Sequence, residues 1–389
     1  MAAAVSLGMT RFAYALLLPP MRDDLLWSYT LAGAMNTFNA LGYLVGALLT
    51  PWVLRRLGAV RVLIWGALAA TFFMAVTGFL TDTTGLLLQR FLAGVASAAV
   101  FVSGGLLAAR LGAQMPAQSG LLLGVYYGGT GWGIVLSALT VPASLAWASA
   151  HTFDHAWSWS WWSLAVLCLL LTVLIAVIQS PLKRWAPESP PVTALTQPYQ
   201  GLLNAWRQWS FALVGYGFFG VGYIGYMTFV VALLREQGAT PSDITFFYAL
   251  LGVAVVVSSR VWANLLNHYR GGQALSILNA LLSVATVIPA LTAVWPMMLL
   301  SGLIFGGVFL SLVASTTAMV KHNLPPEQWA AGISAFTVVF ALGQIIGPVM
   351  VGAIADGPGG LQRGLVFSAI ALLLGACFAW QQKPLVHRT

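Results

Sequence analysis

Apolar residues in this chain form long runs that are separated by short polar segments. A run of about 18 or more apolar residues is typical of a membrane helix, because about 20 residues cross the hydrocarbon core. The runs do not alternate apolar and polar residues as barrel strands would, and 164–178 is a clear example. We therefore predict an all-α integral membrane protein with twelve transmembrane helices. The predicted spans are 2–20, 29–52, 61–80, 85–109, 118–141, 160–179, 209–234, 243–266, 273–294, 297–320, 329–355 and 363–382.

Composition excludes the main soluble classes of protein. The 389 residues are 59% hydrophobic and 7% charged, whereas a globular chain carries about 25% charged residues. The net charge of +8 does not indicate nucleic-acid binding, because the 17 basic residues form no basic stripe. The expected partners are therefore the lipid bilayer and a small-molecule substrate, with no nucleic acid. We expect the protein to act as a monomer.

The basic residues predict the orientation in the membrane, since cytoplasmic loops collect Lys and Arg. Twelve of them fall on one side of the predicted spans and three on the other. The twelve are Arg55, Arg56, Arg61, Arg110, Lys183, Arg184, Arg207, Arg260, Arg270, Lys321, Lys383 and Arg388; the three are Arg22, Arg235 and Arg363. This asymmetry predicts a multi-pass protein of the cytoplasmic (inner) membrane with both termini in the cytoplasm.

The segment 181–208 separates two groups of six spans. It contains five prolines and several charged residues, as expected of a linker between an N-terminal half, 1–180, and a C-terminal half, 209–389. Some residues of the first half recur at fixed spacing in the second. Gly8, Tyr14 and Gly94 recur 212 residues later as Gly220, Tyr226 and Gly306. The two halves are therefore expected to be structural repeats.

Several motifs resemble those of the major facilitator superfamily. The loop between the second and third spans has Arg56 and Gly58 at the positions of the family's Gly-x-x-x-Asp-Arg-x-Gly motif, although the Asp is missing. Arg90 begins an Arg-x-x-x-Gly pattern in the fourth span, and the Gly-Pro pair of the antiporter motif occurs in the eleventh, at Gly347 and Pro348. The opening stretch 8–14 resembles a bacterial branch of the superfamily whose substrates are not established.

This resemblance implies the major facilitator fold and secondary transport rather than enzymatic catalysis. It also implies that the first, fourth, seventh and tenth helices line a central cavity. Conformational roles would fall to the motif residues and to the glycines of the fifth and eleventh spans; these are Arg56, Gly58, Gly128, Gly347 and Pro348. Close helix packing is the structural alternative for each glycine, because small residues are common at helix contacts in membranes.

Two arginines stand out because no carboxylate or histidine lies inside any predicted span. Arg11 is near the centre of the first span, where a charge costs about 2.5–3.5 kcal/mol on insertion scales. Arg90 lies closer to the end of its span, where packing or a pair with Asp82 is the structural alternative. An anionic ligand would compensate both charges. The predicted substrate contacts are Arg11, Tyr14, Arg90, Trp132, Tyr223 and Tyr226.

No metal or cofactor is expected. His151 and His155 are four residues apart beside Asp154, but two histidines are too few for a convincing metal motif. We therefore predict a secondary transporter of a small solute, specifically an organic anion, that works by alternating access. An exporter of neutral or cationic hydrophobic compounds is the first alternative. A membrane receptor or sensor is the second, although the loops leave no room for a signalling domain.

Overall fold

The computed structural model describes residues 1–115, 119–178, 208–325 and 328–385, so that almost all of the predicted linker 181–208 lies outside the described residues. Every regular element within those ranges is helical. The first helix, α1, consists of a π-helical segment, Ala4–Phe12, and an α-helical segment, Tyr14–Asp24. The other long helices are α2 Tyr29–Leu57, α3 Ala59–Thr77, α4 Thr83–Gln114, α5 Ser119–Ala150, α6 Ala156–Val177, α7 Ser210–Glu236, α8 Pro241–Val261, α9 Gln273–Leu291, α10 Trp295–Asn323, α11 Trp329–Ala355 and α12 Gly360–Trp380. A short helix, Ala263–His268, follows α8.

These helices confirm the predicted all-α membrane fold. Within the described residues, 11 helices are long and apolar enough to cross a membrane. The first predicted span is the remaining one, and it consists of two segments of 9 and 11 residues. Helix α11 has the predicted bounds, whereas α5 continues through Pro142 to Ala150 instead of ending at 141.

Corresponding helices of the two halves pack through corresponding glycines. A β-carbon at Gly8 would lie 2.5 Å from the α-carbon of Gly133, so α1 and α5 touch through their backbones. Gly220 brings α7 similarly close to α11. Gly94 packs α4 against α2, and Gly306 packs α10 against α8. The residues that recur along the sequence therefore occupy equivalent helix crossings, as expected for structural repeats.

The two halves meet along α2 and α11, along α5 and α8, and along α1 and α7. Gly33 of α2 lies against the backbone carbonyl of Pro348, and the Thr37 hydroxyl donates to the carbonyl of Ile345 at 2.6 Å. Farther along α2, Gly42 and Gly46 pack on α4 of the same half. We call the end of the bundle at which α2 begins the distal end, and the end that carries the chain termini the proximal end.

A group of polar contacts joins the halves at the distal end. The carboxylate of Asp356, after α11, accepts hydrogen bonds from the backbone amides of Tyr29 at 2.7 Å and Thr30 at 2.9 Å. The Thr30 hydroxyl donates to the same carboxylate at 2.6 Å. The Tyr29 hydroxyl bonds to Glu236 at the end of α7, and the Arg22 guanidinium lies 3.9 Å from the Tyr29 ring centroid. We call this group the distal lock.

Candidate functional site

Arg11 lies in the π-helical segment of α1. The amide of Ala13 donates to the carbonyl of Gly8 at 3.2 Å, and the Thr10 hydroxyl donates to the carbonyl of Val5 at 2.6 Å. The backbone bond of Ala13 spans five residues, which is the spacing of a π-helix, and the Thr10 side chain bonds across the same interval. Such segments are rare and frequently occur at functional sites, because the wider turn changes where side chains point. The π-helical geometry and the buried charge therefore both indicate Arg11 as a candidate functional residue.

The guanidinium of Arg11 is buried without compensation. The residue is only 3% exposed, and its Nε and Nη2 atoms have no hydrogen-bond partner among the described residues. Its described neighbour is an aromatic ring, with the Tyr43 centroid 5.7 Å away. The ion pairs between described residues are Arg22 with Asp23 and His155 with Asp24, and neither involves Arg11. A buried cation in this state has hydrogen-bonding capacity left for a ligand.

Phenol groups from both halves lie within electrostatic range of this guanidinium. Arg11 interacts electrostatically with the hydroxyls of Tyr43 on α2 and Tyr223 on α7, and Tyr127 on α5 interacts with Tyr43. Phe101 on α4 packs against Tyr43 with ring centroids 6.4 Å apart. We call these five residues the central site. Tyr43, Phe101 and Tyr223 lie near the middle of their helices, so the site is close to the midplane of the bundle.

The N-terminal half supplies an aromatic wall to the central site. Phe101 lies 5.8 Å from Tyr127 and 5.7 Å from Tyr126, measured between ring centroids. The Tyr126 hydroxyl is used in donating to the Phe101 carbonyl at 2.6 Å. The hydroxyls of Tyr43 and Tyr127, by contrast, make no hydrogen bond among the described residues, and Tyr127 is 40% exposed. One free phenol donor, Tyr43, therefore lies beside the unpaired arginine, and a second, Tyr127, lies beyond Phe101 in the same wall.

The C-terminal half supplies a more tightly packed wall. The Tyr223 hydroxyl donates to Oε1 of Gln344 at 2.9 Å. Its ring stacks on Phe340 of α11 at 5.4 Å and on Phe309 of α10 at 6.1 Å. Phe309 in turn contacts Phe12, the residue after Arg11, at 5.9 Å. This stack joins the π-helical segment to the opposite half.

Arg90 differs from Arg11 because each of its nitrogen atoms donates a hydrogen bond to the protein. Its Nη1 donates to the carbonyl of Thr10 at 3.1 Å, its Nη2 to Oδ1 of Asn36 at 3.1 Å, and its Nε to the carbonyl of Met35 at 3.5 Å. The guanidinium also lies 4.9 Å from the Tyr14 ring centroid, and the residue is 2% exposed. This geometry suits a residue that holds α1, α2 and α4 together.

The other predicted substrate contacts are distributed over the bundle. The Tyr14 hydroxyl donates to the carbonyl of Ala32 at 2.8 Å, and the Tyr226 hydroxyl shares a hydrogen bond with Ser301 at 2.7 Å. Both are fully buried and already bonded to protein groups. Trp132 is 57% exposed. Of the six predicted contacts, the structure thus places Arg11 and Tyr223 in the central site, which also contains Tyr43, Phe101 and Tyr127.

The predicted conformational residues of α5 and α11 lie at helix contacts. A β-carbon at Gly128 would lie 3.6 Å from the carbonyl oxygen of Val256, on α8 of the other half. Gly347 meets the Val221 carbonyl of α7, where a β-carbon would lie 2.6 Å away. Pro348 is inside α11 and presents its carbonyl to α2. Of these three residues, Gly128 and Pro348 therefore lie between the halves, and Gly347 lies within one half.

The motif residues at the end of α2 have local roles. Gly58 ends α2 with a φ of +77°, a conformation that side-chain-bearing residues rarely adopt. The Arg56 guanidinium lies 4.1 Å from the centroid of the Trp52 ring on the same helix. Asp82 caps α4 by accepting from the amide of Gly85 at 2.6 Å, which is a different role from the pair with Arg90 considered above.

The histidines near the distal end have different partners. His155 bonds to Asp24 at 2.6 Å, whereas His151 bonds to the carbonyl of Trp147 at 2.8 Å. Within the part of the chain that the structure describes, no three His, Cys, Asp or Glu side chains converge as metal ligands would.

Comparison with known proteins relates this chain to membrane transporters. A family model described as "Uncharacterised MFS-type transporter YbfB" matches residues 3–380. The chain is 26% identical to the 3-(3-hydroxy-phenyl)propionate transporter of Escherichia coli (strain K12), covering 82% of this chain and 76% of that protein. It is also 26% identical to a putative tartrate transporter of Agrobacterium vitis, covering 92% of this chain and 82% of that protein.

Solved structures show the same fold at low sequence identity. A mutant of the nucleoside transporter NupG superimposes with a TM-score of 0.71, covers 97% of both chains and is 13% identical. At this identity the likeness concerns the fold alone.

Proposed function

This chain belongs to the family described as uncharacterised MFS-type transporter YbfB, and from that premise we propose that it carries a small organic anion across the membrane by alternating access. That it is a multi-pass membrane transporter follows from the family and from its membrane helices. The proposal adds the charge of the substrate and the residue that binds it. Arg11 is that residue.

The observation that carries the proposal is the unpaired state of Arg11. Two of its nitrogen atoms are buried without a hydrogen-bond partner among the described residues. A carboxylate would accept both hydrogen bonds at once, because its two oxygens match the planar fork of a guanidinium. Both curated relatives are named for carboxylates, a hydroxyphenylpropionate and tartrate, which supports an anion as the substrate class.

The arrangement of the halves supports alternating access about the central site. Transporters of this kind bind substrate near the midplane and rock one half against the other. Here Tyr223 and Gln344 come from one half, and Arg11 and Tyr43 from the other, so that a ligand on Arg11 would contact both. We propose that the proximal end, with both chain termini, faces the cytoplasm, that the membrane is the inner membrane, and that the monomer is the working unit.

An exporter of neutral or cationic hydrophobic compounds remains the alternative, and the aromatic wall of Tyr43, Phe101 and Tyr127 is the observation in its favour. A cation would meet the positive charge of Arg11 in this site, and no carboxylate pairs with it among the described residues. A neutral compound would leave the buried charge uncompensated. Both considerations favour an anion.

Uptake into proteoliposomes tests the proposal. Purified protein would be reconstituted with and without Arg11→Gln, and exchange of a radiolabelled carboxylate would be measured against a panel of unlabelled anions, amines and neutral compounds. Arg61→Gln is the matched control, because Arg61 is exposed at the start of α3. We expect carboxylates alone to compete, and Arg11→Gln alone to abolish exchange. Competition by amines, or exchange that is insensitive to Arg11→Gln, would instead favour an exporter of neutral or cationic hydrophobic compounds.

A further inference from the structure

Among the residues that the structure describes, the central site has one available cation. The other buried arginine near this site is Arg90 on α4. Each of its three nitrogen atoms donates a hydrogen bond to the protein, and the residue is 2% exposed. The two guanidinium groups are close enough to repel each other, but the hydrogen bonds of Arg90 direct its nitrogen atoms toward α1 and α2. A substrate with two carboxylates would therefore find one guanidinium, and its second charge would be buried without a partner, which is costly.

The surroundings of Arg11 are aromatic and only partly covered. Tyr43, Phe101 and Tyr127 have neighbouring centroids 5.8 to 6.4 Å apart and come from three different helices. All three retain some exposed surface. Rings at such spacings accept a further ring edge-to-face or offset, which aliphatic groups do not reproduce. The Tyr43 hydroxyl makes no hydrogen bond among the described residues, so it is free to donate to a carboxylate oxygen that Arg11 leaves unbonded.

We propose that the central site selects an aryl monocarboxylate, with the carboxylate on Arg11 and the aromatic ring against Tyr43, Phe101 and Tyr127. The inference rests on the proposed transport of an organic anion and deepens it. The single cation limits the substrate to one buried negative charge. The aromatic wall selects a ring over an aliphatic group of the same size.

Binding of four probe compounds tests whether the site requires a single negative charge and whether it prefers an aromatic ring. Phenylacetate has the proposed chemistry, cyclohexylacetate replaces the ring by an aliphatic one, 2-phenylacetamide removes the charge, and succinate adds a second carboxylate. Affinities would be measured by titration calorimetry on the purified full-length protein at neutral pH. We expect phenylacetate to bind roughly three- to tenfold more tightly than cyclohexylacetate, as aromatic pairing energies imply. It should bind at least about tenfold more tightly than 2-phenylacetamide, because bonds to charged groups are the stronger ones.

Variants of the aromatic wall test recognition of the ligand's ring independently of recognition of its charge. Phe101→Leu should bring the ratio of phenylacetate to cyclohexylacetate affinity close to one while retaining the dependence on Arg11. Tyr127→Leu provides a second, independent test, since this half-exposed residue tolerates replacement better than a buried one. Phe79→Leu is the control, because Phe79 is 73% exposed outside the site.

The two proposals fail in different ways. If 2-phenylacetamide binds as well as phenylacetate, or if Arg11→Gln leaves both unchanged, the site does not recognise an anion and the proposed function is wrong. If carboxylates bind through Arg11 but cyclohexylacetate matches phenylacetate, or succinate binds best, the anion proposal stands and the aryl monocarboxylate proposal is wrong.

Discussion

Arg90 donates a hydrogen bond to the carbonyl of Thr10 at 3.1 Å, one residue before Arg11 in the π-helical segment. One arginine thus holds the backbone that carries the other. The two guanidinium groups are nearly equally buried, but each nitrogen atom of Arg90 donates a hydrogen bond, whereas two nitrogen atoms of Arg11 have no partner among the described residues. Their substitutions should therefore have opposite consequences for stability and for binding.

Stability distinguishes the two arginines. Arg90→Gln leaves acceptors on α1 and α2 without their donor, and such losses cost about 1–3 kcal/mol for each buried group. Its apparent unfolding temperature in detergent should fall by several degrees. Arg11→Gln removes an uncompensated buried charge and should be neutral or stabilising without substrate. An equal loss of stability in both variants would mean that Arg11 is a structural residue.

Affinity distinguishes the charge of Arg11 from its shape. Arg11→Lys keeps the positive charge but loses the planar fork, so carboxylate binding should weaken by roughly tenfold. Arg11→Gln should weaken it further, since both the charge and the fork are lost. Calorimetric titration of the best anionic ligand measures the series, and the unfolding temperature of each variant controls for damage. Equal affinity in all three proteins would remove Arg11 from the binding site.

Close packing between α2 and α11 should set the balance between conformations. A β-carbon at Gly33 would overlap the backbone carbonyl of Pro348, and a carbonyl cannot move aside as a side chain can. Gly33→Ala should therefore separate the distal ends of α2 and α11. Gly307→Ala is the control, because a β-carbon there would meet nothing within 4 Å. Distances between spin labels near 30 and 356 give the measurement, and identical distributions in both variants would exclude this role of Gly33.

The distal lock should respond to acid. Burial alone would raise the pKa of Asp356, but hydrogen bonds from the side chain and amide of Thr30 and the amide of Tyr29 outweigh it, and the pKa lies below its usual value. The lowered pKa means that the contact is fully present above an ordinary carboxylate pKa of about 4, and is lost as the pH falls through the lower value. Comparing wild type and Asp356→Asn by spin-label distances from pH 7 to about pH 3 tests this. The variant should show a weaker lock at pH 7 and less change in acid, and matching pH profiles would contradict the assignment.

Orientation can be tested with single cysteines. Cys168 is buried and Cys377 is exposed, so both would first be replaced. A cysteine at Ser189, which lies outside the described residues, should be protected from an impermeant thiol reagent in intact cells if the linker is cytoplasmic. A cysteine at Asp23 should react. The opposite pattern would invert the orientation.

Much of the fold could be predicted from the sequence, because length and hydropathy largely determine a membrane helix. Helix α11 has its predicted bounds, and the recurrence of Gly8 as Gly220 identified equivalent helix crossings. The site was predicted less completely. Arg11 was recognisable because a charge in the middle of an apolar run needs an explanation, whereas Tyr43 and Tyr127 look like any aromatic residues in a membrane helix.

Two features had no usable signal in the sequence. The π-helical geometry of Ala4–Phe12 has no marker in the sequence, because this apolar segment resembles any other stretch of membrane helix. The difference between Arg90 and Arg11 depends on whether a backbone carbonyl or a side-chain oxygen lies within reach. Asn36 and Met35 provide such groups for Arg90, although they are 54 and 55 residues away along the chain.

The capping of α2 has a consequence for transport kinetics. Its first amides depend on a side chain of the opposite half, because Asp356 accepts from Tyr29 and Thr30 while the helix's own Ser28 accepts from Leu31. Separating the halves at this end therefore uncaps a helix terminus, and free N-terminal amides must turn to water. The step that opens the distal end thus includes a local helix–coil equilibrium, and the exchange rate of these two amide hydrogens with solvent should follow the fraction of time that this end spends open.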